Sequence, residues 1–106
     1  MMIVYRKSLV VVAGLGAVAK RIARHDSDLA RQLRRSCVSI PLNVAEGEHG
    51  QGGRKRASFG VAHGSARESR AALDAAVAMG YLPEGVDAAL HDDLDHVIAM
   101  LYRLSQ

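Results

Sequence analysis

The sequence predicts an all-α fold, an antiparallel up-down four-helix bundle, and three observations lead there. Apolar residues recur at spacings of three and four along four long segments, the period of a helix with one buried face. Only Pro41 and Pro83 interrupt 106 residues, too little punctuation for an all-β domain. Aromatics are confined to Phe59, Tyr5, Tyr81 and Tyr102, so the core must be built from Ala, Val, Leu and Ile, which suits closely packed helices. At this length the chain forms one domain, residues 1–106, around a single core.

The first helix is predicted over about 3–24. Its middle, Leu9 to Ala19, is apolar almost all round, so burial on more than one side is expected. Gly14 and Gly16 weaken it, and close approach of a neighbouring backbone would justify them. His25-Asp26-Ser27-Asp28 supplies the break and an N-cap. The second helix, about 28–46, carries Leu29, Leu33, Cys37, Ile40 and Val44 on one stripe. Arg24, Arg31 and Arg35 fall opposite, with Arg34 on a flank. Beyond Arg35 the polar face gives way to Val38 and Leu42, which marks them as an inter-subunit contact. Pro41 removes a donor and should kink the helix, and Asn43 is placed to satisfy the carbonyl that Pro41 frees.

Residues 47–53, Gly-Glu-His-Gly-Gln-Gly-Gly, read as a flexible loop. The third helix, about 54–79, opens on Arg54-Lys55-Arg56, positive charge where the helix dipole disfavours it. Its core stripe is Phe59, Ala62, Ala66, Ser69, Leu73, Ala76 and Val77. Arg56, His63, Arg67 and Arg70 form a second stripe; Ala57, Gly60, Gly64, Ala71 and Ala78 form a small face fit for tight packing. The fourth helix, about 83–104, repeats Leu90, Leu94, Val97, Leu101 and Leu104 at alternating spacings of four and three, a bundle seam.

Several functional classes lose their footing here. The Val-rich run near the N-terminus is too short to span a bilayer, and its flanking charges fit a secretory leader poorly. Gly14-x-Gly16-x-x-Ala19 lacks the second strand that a dinucleotide site requires. The single Cys37 forms no disulfide within the chain and reads as a small buried hydrophobe. His91/Asp95 and Asp92/His96 are i, i+4 pairs, but no metal-binding frame surrounds them, and a solvated acidic face accounts for them better. No metal, cofactor or catalytic constellation is expected.

Charge is lopsided. Up to Arg70 the chain has 13 basic and 5 acidic residues; from Ala71 it has 1 and 6, for a net charge of +3. This points to a polyanion-facing side, with a merely dipolar solvated surface as the alternative.

The segment Gln32-Leu-Arg-Arg-Ser-Cys-Val-Ser-Ile-Pro-Leu-Asn-Val-Ala-Glu-Gly47 resembles the signature of the four-helix-bundle family of 23S rRNA intervening-sequence proteins, which includes accessory variability determinants of diversity-generating retroelements. A second stretch, Ala62-His-Gly-Ser-Ala-Arg-Glu running to Gly80-Tyr-Leu82, is similar to the family's third helix. The chain departs from the pattern after Glu46, where an aromatic is replaced by extra glycines, and at Arg70, where a second Glu is usual. The resemblance implies a basic homo-oligomer, typically a barrel-shaped, ring-like pentamer; the single Cys37 fits a reducing compartment, and a cytoplasmic location is expected. Its retroelement members bind a reverse transcriptase and nucleic acid. Five chains at +3 each would carry +15, and repetition would turn weak phosphate contacts into avidity.

The expected function is therefore non-enzymatic nucleic-acid binding, with a protein-only scaffold as the alternative and no membrane role. The candidate surface is Arg24, Arg31, Arg35, Arg54, Lys55, Arg56, Arg67 and Arg70. Glu68 is expected to be partly buried and paired with Arg34 or Arg35. Aromatic stacking platforms are missing, so binding should be directed at the backbone and be poorly sequence-specific.

Overall fold

The computed structural model describes residues 2–106. Four helices follow one another: α1 (Ile3–Ala23), α2 (Ser27–His49), α3 (Gly52–Ala78) and α4 (Ala88–Leu104). No strand occurs among the described residues. The four are packed in a cycle, α1 against α2, α2 against α3, α3 against α4 and α4 back against α1.

α2, α3 and α4 turn their predicted stripes inward, and α1 buries a single face. Val4, Val11, Leu15 and Ile22 of α1 meet Leu33, Ile40 and Val44 of α2, Phe59 and Leu73 of α3, and Leu94, Val97 and Leu101 of α4. Leu29, Val77 and Leu104 are only half-buried at the margins. Cys37 lies in this core, and burial pushes its thiol pKa up, as an inert small hydrophobe requires. Where α2 meets α3 the contact is small and polar. Ser36 Oγ lies 2.8 Å from Ser69 Oγ, and Ser65 Oγ donates to Ser39 Oγ at 2.8 Å. At these two contacts the numbering rises along α3 as it falls along α2.

The expected loop at 47–53 is mostly helix. α2 continues to His49, and only Gly50 and Gln51 separate it from α3. The reason is packing: a Cβ on Gly47 would lie 2.9 Å from the buried Phe59 ring, so this glycine admits the ring rather than loosening the chain. The reversal itself uses Gly50, whose Cβ would meet the Glu46 carbonyl oxygen at 3.1 Å, and Gly52, with φ +57°.

Three more expectations change. α4 starts at Ala88, not near Pro83, because Gly85 and Asp87 take positive φ and Asp87 then caps the helix by accepting from the Leu90 N–H at 3.1 Å. Gly14 makes room for the Leu90 side chain, 2.7 Å from its would-be Cβ, rather than for a backbone; nothing in the structure explains Gly16. α1 is buried on one side only, leaving Leu9, Val10, Ala13 and Ala17 exposed.

α2 is continuous through the buried Pro41. Asn43 does not reach the Cys37 carbonyl that Pro41 leaves without a donor. Its Nδ2 donates to the Ser39 carbonyl at 2.9 Å and to Ser39 Oγ at 3.0 Å, which ties it to the serine cluster between α2 and α3.

Candidate nucleic-acid interface

The N-terminus of α3 is electrostatically unusual. Gln51, its N-cap, makes no side-chain capping bond, and the first turn holds no acidic residue. Arg54, Lys55 and Arg56 stand there exposed, and none has a carboxylate within 4.0 Å. Uncapped N–H groups and three free cations concentrate positive potential at this end of the molecule.

The remaining arginines do not join it in one patch. α2 is 23 residues long, so its ends lie about 35 Å apart, and the molecule is 43 Å in its longest dimension. Arg24 and Arg31 sit at the far end, with Arg31 paired to Asp28 at 3.3 Å on the surface. Arg35 lines a polar groove between α2 and α3 with Gln32, Ser36, Ser39, Ser65 and Glu68. Arg67 is exposed on α3, one turn from His63, whose ring lies 5.7 Å from that of Tyr102 on α4. The expected surface is thus divided among the α3 N-terminus, the start of α2, the α2–α3 groove and Arg67 further along α3.

Arg70 leaves the candidate set. Its guanidinium hydrogen-bonds Asp95 of α4 and lies 3.5 Å from Asp74 of its own helix. The hydrogen bond that it donates to Asp95, aided by the charges of both carboxylates, raises its pKa. It is a fastener between α3 and α4. Asp95, spaced four residues from His91, is thus engaged by Arg70, and no group of three or more His, Cys, Asp or Glu side chains is gathered among the described residues.

Glu68 is corrected as well. It is exposed, and neither Arg34 nor Arg35 comes within 4.0 Å of it. Arg35 shares its groove without touching it. Arg34 faces the other way, into a groove lined by Val12, Ala13, Gly16, Ala17 and Lys20 of α1.

That second groove continues the apolar surface anticipated at Val38 and Leu42, which are 45% and 62% exposed. Ala13 and Ala17 lie beside Val38, and Leu9 follows one turn away on α1. The α1 share of this face went unforeseen, because an all-round apolar helix reads as a fully buried one. The small face of α3 is also open: Gly60 and Gly64 have no atom within 4 Å of a would-be Cβ.

These features define a small all-helical protein with free basic regions and uncovered apolar surface. The family model described as 23S rRNA-intervening sequence protein matches residues 1–103, and the chain belongs to that family. No curated protein matches it. Among solved structures it is similar to a protein of unknown function from the S23 ribosomal protein family of Bacteroides thetaiotaomicron. That likeness has a TM-score of 0.89 at 20% identity and covers 98% of this chain and 99% of the other; it bears on the fold alone. Among the described residues no helix is long and apolar enough to cross a membrane.

Proposed function

We propose that this chain is a non-enzymatic, cytoplasmic nucleic-acid-binding protein whose up-down bundles assemble into a ring-like homo-oligomer, a pentamer by family resemblance. The α3 N-terminus carries this reading. Three adjacent cations at an uncapped positive helix end raise the free energy of the isolated chain, and a phosphate backbone relieves that cost. Family membership, with its tie to 23S rRNA, supports RNA as the polyanion. Leu9, Ala13, Ala17, Val38 and Leu42 form the face we assign to contact between copies, since an apolar patch of this kind is covered when a chain assembles.

The biological partner is then an RNA, or a reverse transcriptase with its nucleic acid in a retroelement setting. The experiment is direct: titrate the protein into labelled RNA and DNA, and compare it with the Arg54→Ala/Lys55→Ala/Arg56→Ala variant. Saturable binding by the parent and at least tenfold weaker binding by the variant are expected. Absence of binding at low salt would leave the protein-only scaffold, whose charged faces meet an acidic protein partner.

A further inference from the structure

The α3–α4 side of the molecule holds a feature that the motifs do not reveal. Tyr102 is a large aromatic left 55% exposed near the end of α4. Its ring is held at 5.7 Å and 55° to the half-buried His63 ring of α3. Arg67 lies one helical turn along α3 from His63 and Arg56 two turns the other way, about 6 and 10 Å along the axis. Both arginines are exposed and free of carboxylates, so Tyr102 stands level with the middle of a basic row.

The acidic side chain nearest this row along α4, Asp95, is already engaged by Arg70. That ion pair joins α3 to α4 on the side of the molecule where Tyr102 meets His63. It also removes a negative charge that would repel phosphate.

We propose that Tyr102 is a base-stacking subsite for single-stranded nucleic acid, with His63 steadying the ring and Arg56 and Arg67 taking the flanking phosphates. The proposal rests on the nucleic-acid reading above and sharpens it. In a duplex every base face is already covered by its neighbours, so a tyrosine platform selects unpaired nucleotides. The ring accepts any base, so the preference is for strandedness rather than sequence. The sequence alone offers no aromatic platform on the candidate surface; α4 brings Tyr102 beside His63 of the basic stripe through tertiary packing.

The test uses a short RNA carrying 2-aminopurine, single-stranded or annealed to its complement, with the parent protein and the Tyr102→Leu and Tyr102→Phe variants. Tyr102→Leu keeps an apolar side chain against His63, and helical circular dichroism confirms that it folds. For the parent, tighter binding of the single strand and quenching of the 2-aminopurine are expected. Tyr102→Leu should bind the single strand roughly 5- to 150-fold more weakly and lose the quenching, while Tyr102→Phe keeps both. If Tyr102→Leu binds like the parent while the Arg54/Lys55/Arg56 variant is weakened, the stacking subsite is overturned and backbone binding stands. If the parent binds neither strand form, both readings fall.

Discussion

Two exposed faces of this small bundle differ in kind. The α1–α2 face shows Leu9, Ala13, Ala17, Val38 and Leu42, with Lys20 and Arg34 alongside. The α3–α4 face shows Arg56, His63, Arg67 and Tyr102, charged and aromatic, with Arg70 locked to Asp95 beneath it. An apolar face gains by being covered with more apolar surface, at about 25 cal/mol per Å² removed from water. A face of free cations gains little from such a partner, because desolvating unpaired charge is costly, and much from phosphate. On the proposed reading the first face meets other copies and the second meets a polyanion.

The largest effect that would break this division is on assembly. Val38→Asp with Leu42→Asp should turn the oligomer into a monomer by light scattering while circular dichroism stays helical, since both side chains are exposed in the single chain. An unchanged particle mass would remove the α1–α2 face from the contact. Loss of assembly should also weaken RNA binding by about 100-fold or more, as avidity disappears.

Next come two changes within the fold. Gly47→Ala drives a Cβ to 2.9 Å from the immobile Phe59 ring, and overpacking of this kind costs about 1–3 kcal/mol in a denaturant titration. Gly64→Ala meets nothing within 4 Å and should stabilise the separate chain by about 0.5–1 kcal/mol through helix propensity. Destabilisation by Gly64→Ala would reveal that a second copy already packs against the small face of α3. The smallest effect belongs to Arg70→Met. The ion pair is one-third exposed on its arginine side and more so on its carboxylates, so its loss should lower stability by less than about 1 kcal/mol.

Periodicity made the four helices legible, because three carry a clear inward stripe and the break at His25–Asp26 contains a recognisable cap. What stayed hidden depends on contacts between helices. Gly47 looks like a loop residue until Phe59 is seen against it. Arg70 belongs to a basic stripe by spacing, yet Asp95, 25 residues away, takes it out of service. Glu68 and Arg34 looked like partners because an opposite charge nearby is the simplest guess; the helices face them into different grooves. The Arg54-Lys55-Arg56 cluster was readable outright, since its position at a helix start is local information.

The most direct test of the central claim is the salt dependence of RNA binding by the intact protein. Each phosphate neutralised on a single strand contributes about −0.7 to the slope of log affinity against log salt. A slope steeper than about −2 is expected, shrinking when Arg54, Lys55 and Arg56 become Ala. A flat slope, or one that the triple variant leaves unchanged, would contradict it.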